Sequence, residues 1–267
     1  MKLALAQLAI EEGDVAGNVD RACAAVARAA EAGADLVVLP EIFNVGYFAF
    51  DRYREAAEPL DGQTFERIAA AAADHDVAVL GGSIVEDLAA TESAPTPADA
   101  GLANTQALFD RDGTRLAVYR KHHLFGYESA EAELLVPGEE LGIAAFEGFT
   151  VGMTTCYDLR FPELYRDLAA AGVTLVLVPS AWPYPRVEHW QLLPRARAVE
   201  NQQYVATCNG SGSFDDATLL GRSTVFDPWG TILASSDDDP TLVTAEIDPD
   251  RVAAVREEFP AWHDRRR

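Results

Sequence analysis

The stretch Phe149-Thr150-Val151-Gly152-Met153-Thr154-Thr155-Cys156-Tyr157-Asp158-Leu159-Arg160-Phe161-Pro162-Glu163-Leu164 decides how this chain is read. Its first seven residues suit a buried strand, and Pro162 opens a helix-like segment at 162–171, because the fixed φ of proline matches a first helical turn. Strand, cysteine and helix together make a βα unit. The free N–H groups and positive end of that helix would favour a thiolate just before it. Two readings of Cys156 stand at this point, an inert core thiol and an activated nucleophile.

Outward from this unit the same alternation recurs. Strand-like runs at 3–8, 36–39, 77–82, 173–178 and 204–208 alternate with helix-like stretches at 18–32, 64–75, 162–171 and 188–200, with Gly33 placed as a C-cap. Asp110-Arg111-Asp112-Gly113 joins 105–109 and 114–119 as a hairpin, and Asp227-Pro228-Trp229-Gly230 does the same for 224–226 and 231–234. A strand at 242–247 and a helix at 249–258 follow. Parallel units combined with hairpins predict an α/β protein with mixed sheets. Residues 89–103 have the composition of a flexible surface insertion, and 260–267 reads as a disordered basic tail. One domain spanning 1–267 is expected, since no repeat or second core is visible.

Lysine usage singles out a second residue. Only Lys2 and Lys121 are lysines among 21 basic residues, and Lys121 stands inside Tyr119-Arg120-Lys121-His122-His123-Leu124-Phe125, directly after a strand-like run. Glu41 likewise closes the apolar run Ala34-Asp35-Leu36-Val37-Val38-Leu39-Pro40-Glu41. Singly, each reads as an ordinary solvated charge. Jointly they do not, because Glu41, Lys121 and Cys156 all follow strands, and loops at one end of the strands gather the site in layered α/β folds.

These motifs resemble the signature of the nitrilase, or carbon–nitrogen hydrolase, superfamily, with Glu41 in Leu-Pro-Glu, Lys121 in Arg-Lys-x-His-Leu-Phe and Cys156 in Cys-Tyr-Asp-Leu-Arg-Phe-Pro-Glu-Leu. The resemblance runs from Leu3 to about Phe259 and takes in 135–138, 179–182, 195–202 and 221–230. It implies a four-layer α–β–β–α sandwich of two mixed sheets with outer helices. It also implies Cys156 as nucleophile, Glu41 as general base, Lys121 as stabiliser of thiolate and oxyanion, and the Tyr157 N–H as the other oxyanion donor. A second glutamate six residues before the Pro-Gly corresponds to Glu131, with Glu128 and Glu133 as neighbouring candidates. Arg160 matches an arginine that in some relatives contacts a substrate carboxylate; an ion pair with Asp158 or Glu163 is the competing role.

The pattern Ala181-Trp182-Pro183, Arg186 and His189-Trp190 looks most like the ω-amidase branch, whose members deamidate short α-keto or dicarboxylic monoamides. Trp182, Arg186 and His189 would wall such a pocket. True nitrilases more often carry tryptophan after the cysteine, where Tyr157 stands here. No metal or cofactor is implied, and relatives commonly form homodimers. Within the same fold, N-carbamoyl amide hydrolysis, an aliphatic amidase or nitrilase activity and a catalytically idle binding protein are the alternatives. Outside it stand a Cys–His hydrolase using His122, His123 or His189, and a pyridoxal Schiff base on Lys121, for which no phosphate cup is visible.

Charge narrows the partners. With 43 acidic against 21 basic residues the net charge is −22, which repels nucleic acids and anionic membranes. Excess acid with almost no lysine also suits concentrated salt, where the Debye length falls to about 3 Å at 1 M; an ordinary acidic protein is the other reading. No apolar run is long enough to span a bilayer and residues 1–7 read as a first strand rather than a signal peptide, so a cytoplasmic location is expected. The three cysteines show neither a disulfide framework nor metal-ligand spacing, and Cys23 and Cys208 read as core residues.

Overall fold

Leu3, Leu5, Leu36, Val38, Ala78 and Leu80 belong to one buried cluster, and their alternates Ala4, Ala6, Val37, Leu39 and Val79 to another. Strands that are apolar on both faces need cover on both sides. A computed structural model describes every residue except Glu128, Asp216 and Arg267. In chain order the elements are β1 (Lys2–Gln7), α1 (Val15–Glu31), β2 (Leu36–Val38), α2 (Tyr53–Ala56), α3 (Gln63–His75), β3 (Ala78–Asp87), β4 (Leu102–Phe109) and β5 (Arg115–Arg120). They continue with α4 (Glu131–Leu134), β6 (Gly142–Phe146), β7 (Phe149–Met153), α5 (Pro162–Ala170), β8 (Leu175–Ser180), α6 (Val187–Asn201) and β9 (Tyr204–Asn209). Last come β10 (Ser211–Ser213), β11 (Thr218–Leu220), β12 (Thr224–Phe226), β13 (Ile232–Ser235), β14 (Thr241–Glu246) and α7 (Asp250–Glu258).

Two six-stranded mixed sheets result, ordered β14-β1-β2-β3-β4-β5 and β13-β12-β9-β8-β7-β6. Leu3, Leu36 and Leu80 of the first meet Met153, Leu177 and Cys208 of the second in the inner core. On the outer faces, Val19, Val26 and Ile68 of α1 and α3 cover the first sheet, while Leu164, Leu168 and Trp190 of α5 and α6 cover the second. This is the expected α–β–β–α sandwich.

Strand direction then places the loops. β1, β2 and β3 run parallel, and β5 runs the same way because β4 is antiparallel to both β3 and β5. β7, β8 and β9 are parallel in the second sheet. The C-terminal ends of β2, β5, β7 and β8 thus deliver Glu41, Lys121, Cys156 and Ala181 to one site.

The structure departs from the expectations at four places. Leu102 and Ala103 belong to β4, so the insertion ends at 101, and it is tied down: Thr91 Oγ1 donates to Glu86 and receives the Leu60 N–H, while Ser93 and Pro95 accept from Arg115 and Arg120. The terminal segment is anchored as well, with the Trp262 N–H on Gln202 and Arg166, Arg256 and Arg265 around its ring. β6 and the β10–β11 ribbon had no sequence signal. Cys156 opens a short 3₁₀ turn, Cys156–Arg160, which the sequence did not announce, whereas the α-helix starts at Pro162 as expected.

Candidate active site

Glu41 sits three residues past β2 because the chain turns sharply there. Pro40 approaches β3 so closely that a Cβ on Gly82 would lie 2.1 Å from the Pro40 carbonyl oxygen, and Gly82 has φ +59°. Only glycine fits that contact. The Ile42 N–H donates to Ser83 Oγ at 2.8 Å, securing the next residue. Lys121 is fixed from the other side by the Pro-Gly loop, where the Gly138 N–H donates to the Lys121 carbonyl at 3.0 Å.

Cys156 has φ +44°, left-handed backbone that a non-glycine residue holds only under constraint. The constraints are visible. Thr155 and Asp158 form a reciprocal capping box around the turn. Buried Asp158 also accepts from Tyr119 Oη at 2.6 Å, the Thr155 N–H at 2.9 Å and the His123 N–H at 3.0 Å, and pairs with His123 Nδ1 at 2.7 Å. From the opposite sheet, Gln106 Nε2 donates to the Thr154 carbonyl at 2.8 Å and Thr155 Oγ1 at 2.6 Å. The Tyr157 N–H lies in the first turn of this 3₁₀ segment, where leading N–H groups lack intrahelical acceptors.

At the centre, Lys121 Nζ donates to Glu41 Oε1 at 2.8 Å and to Glu131 Oε1 and Oε2 at 2.7 and 3.0 Å, with all three side chains fully buried. Glu131 Oε2 further accepts from Tyr47 Oη at 3.0 Å and the Phe125 N–H at 2.7 Å. Glu41 Oε2 accepts the Ala181 N–H at 2.9 Å. The Cys156 sulfur is buried in the same cluster, within the electrostatic reach of Glu41 and Lys121. Of the candidate acids, Glu131 is in this cluster, Glu133 is exposed on the far side of its helical turn, and Glu128 lies outside the described residues.

One cation against two carboxylates sets the electrostatics. Burial pushes the Glu41 carboxyl up, opposed by Lys121 and reinforced by Glu131, so Glu41 becomes a stronger base than a free carboxylate. For Lys121, burial works against the charge, but Glu131 and Glu41 outweigh it and hold the ammonium well above its ordinary range. Burial, then the Glu41 charge, push the Cys156 thiol well up, and the pull of Lys121 is the smaller effect. Helix and lysine were expected to favour the thiolate; burial and the Glu41 charge work against it, and Lys121 is shared between two carboxylates.

A cavity of about 610 Å³ opens onto Cys156 and is lined by Tyr47, Lys121, Tyr157, Arg160, Trp182 and Arg186 among others. Arg160 lies over the Tyr157 and Trp182 rings, at 5.7 and 5.0 Å, and Arg186 lies 5.6 Å from the Phe125 ring centre. Among the described residues neither arginine has an ion-pair partner, so the competing pairing of Arg160 with Asp158 or Glu163 is absent. His189 is not on the cavity wall; it is exposed and its Nδ1 lies 3.1 Å from Arg160 Nη2, behind the pocket. Among the described residues no histidine lines the cavity, and His122 and His123 are engaged by the Glu140 carbonyl and Asp158, which argues against the cysteine–histidine alternative. Sequence reading missed Asn104, Tyr47 and Ala181, whose contacts with the two glutamates join distant strands.

Comparison with known proteins agrees with this arrangement. The carbon-nitrogen hydrolase family profile matches residues 2–257. The chain is 38% identical to a 2-oxoglutaramate amidase of Paenarthrobacter nicotinovorans over 87% of its length and 79% of the relative's. It is 37% identical to human omega-amidase NIT2 over 99% and 95% of the two chains. The crystal structure of Saccharomyces cerevisiae Nit3, a member of branch 10 of the nitrilase superfamily, superposes with a TM-score of 0.87 at 32% identity over 97% and 94% of the chains. The amidase of Nesterenkonia sp. AN1, a variant of which carries acrylamide added to its active-site cysteine, superposes with a TM-score of 0.83 at 30% identity over 97% and 98%. A Glu–Lys–Cys cluster at the ends of parallel strands, the two-sheet sandwich and these similarities agree: the chain belongs to the carbon-nitrogen hydrolase family.

Proposed function

We propose that this enzyme is a cysteine amidase that releases ammonia from small ω-amides bearing a carboxylate, such as α-ketoglutaramate. The observation that carries this reading is the pair of guanidiniums, Arg160 and Arg186, which line the cavity that reaches Cys156 and have no ion-pair partner among the described residues. The similarity to 2-oxoglutaramate amidase and omega-amidase supports the same substrate class.

The chemistry follows from the cluster. Glu41 takes the Cys156 proton as the sulfur attacks the amide carbon, so no free thiolate is needed beforehand. The developing oxyanion receives the Lys121 ammonium and the Tyr157 N–H. Collapse breaks the C–N bond, and Glu41 passes its proton to the departing nitrogen, releasing ammonia and leaving a thioester on Cys156. Glu41 then accepts a proton from a water that attacks the thioester. A second oxyanion collapses, the acid leaves, and the proton returns to sulfur. Glu131 acts on Lys121, holding the ammonium in place by two hydrogen bonds. Trp182 supplies apolar wall beneath Arg160, and His189 supports that arginine from outside.

A charge-assisted clamp contributes about 1.5–3 kcal/mol, or roughly 10- to 100-fold in specificity. Steady-state ammonia release from succinamate and butyramide tests this. The expected result is a preference for the charged substrate that Arg160→Met or Arg186→Met erases while the neutral rate stays nearly unchanged. Equal rates on both amides in the unmutated enzyme would point instead to an aliphatic amidase.

Exposed Leu192 and Val199 on α6, with Trp229 and Phe259, support assembly as a homo-oligomer. Free thiols at Cys23, Cys156 and Cys208 support work in the reducing cytoplasm.

A further inference from the structure

Asn104, near the start of β4, is fully buried, and its Nδ2 donates to Glu41 Oε1 at 2.9 Å and to Glu131 Oε1 at 3.2 Å. Lys121 Nζ holds the same two oxygens, at 2.8 and 2.7 Å. The Asn104 carbonyl also accepts the Lys121 N–H at 2.9 Å, which locks the two residues together. The acceptors fix the orientation of the amide, because turning it would aim the Oδ1 lone pairs at two carboxylates.

We propose that Asn104 is a positioning residue of the reaction, which sets Glu41 and Glu131 against Lys121 and keeps Glu41 in its proton-accepting form until substrate engages Cys156. Lys121 offers one positive charge to two buried carboxylates. Adding a second cation would remove the basicity of Glu41, whereas an amide adds two N–H dipoles and no charge. A hydrogen bond donated to a carboxylate favours its ionised form. That bond weakens when Glu41 takes the sulfur proton and strengthens again when the proton moves to the departing nitrogen. Packing alone gives no reason for this residue, since Asn104 Oδ1 is buried with no partner among the described residues.

The proposal rests on Glu41 as the base, so Asn104→Leu, Asn104→Ala and Glu41→Gln are measured together, each as kcat and KM against pH with succinamate. Leucine keeps the size but loses the donor, whereas an aspartate among two carboxylates would bind a proton and donate it. The expected result is that both Asn104 variants lose about 10- to 100-fold in kcat with little change in KM, and that the acid limb of Asn104→Ala moves up by about one pH unit. A near-normal Asn104→Leu beside an impaired Asn104→Ala would mean a space-filling role and overturn the proposal. Should Asn104→Leu fail to fold, the alanine variant decides alone, and an unmoved acid limb overturns it. An inactive Glu41→Gln beside an unshifted Asn104→Ala refutes only the role of Asn104, whereas turnover by Glu41→Gln refutes the base assignment and this proposal with it.

Discussion

Replacing Lys121 by methionine leaves Glu41 and Glu131 fully buried with their shared cation gone. Breaking a buried pair by removing one partner costs about 3–5 kcal/mol, a large part of a typical folding free energy of about 5–15 kcal/mol. The variant can recover this loss by binding a proton. Burial already pushes Glu41 up with Lys121 in place, so without the ammonium a carboxyl of the cluster titrates well above its unfolded value. A carboxyl raised in the folded state contributes stability that is complete below the unfolded pKa and is lost as pH rises through the folded one. Each pH unit in that window is worth about 1.4 kcal/mol, so a window of about three units accounts for the whole deficit. Urea denaturation followed by tryptophan fluorescence from about pH 5 to pH 8 should show Lys121→Met nearest the parent protein at the acid end and falling behind steadily toward the alkaline end. Curves that run parallel, or a variant as stable as the parent at pH 8, would refute the claim that one lysine balances two buried carboxylates.

Arg120→Met should also be costly, because Arg120 Nε and Nη2 hold buried Glu86 at 2.6 and 2.8 Å. A loss of about 3–5 kcal/mol is expected; a Tm within a degree or two of the parent in calorimetry would contradict it. Although burial raises the Glu86 carboxyl, its bonds from Arg120 and Thr105 bring it below the ordinary value, so its stabilisation is present above the unfolded pKa and lost as pH falls through the folded one. Melting temperature should rise as potassium chloride goes from tenths of molar to molar, because screening relieves the repulsion of a net charge of −22. A flat or falling Tm would remove the salt-adaptation reading.

The sandwich was legible because its strands are apolar on both faces and bounded by helices or turn sequences, as in Leu36–Val38 and Leu175–Ser180. Glu41, Lys121 and Cys156 were legible because each stands alone after such a run. β6, with the small, mixed sequence Gly142–Phe146, gave no period to read, and its partner β7 defines it. Asn104 looked like any polar strand residue, since its acceptors lie 63 and 27 residues away in sequence. The state of the thiol could not be read either. The lysine and cysteine motifs favour a thiolate, whereas the burial of Cys156 and the sharing of Lys121 between two carboxylates, which oppose it, are visible only in the fold. His189 carried the right chemistry in the right segment, but the helical turn from Arg186 rotates it outward.

During turnover Cys156 is expected to carry the acyl group of an ω-amide. Acid-quenched enzyme turning over succinamate, digested and weighed by mass spectrometry, tests it directly. A succinyl adduct is expected on the peptide containing Cys156 and, for Cys156→Ala, neither adduct nor ammonia; an adduct on Cys23 or Cys208, or ammonia released by Cys156→Ala, would refute Cys156 as the nucleophile.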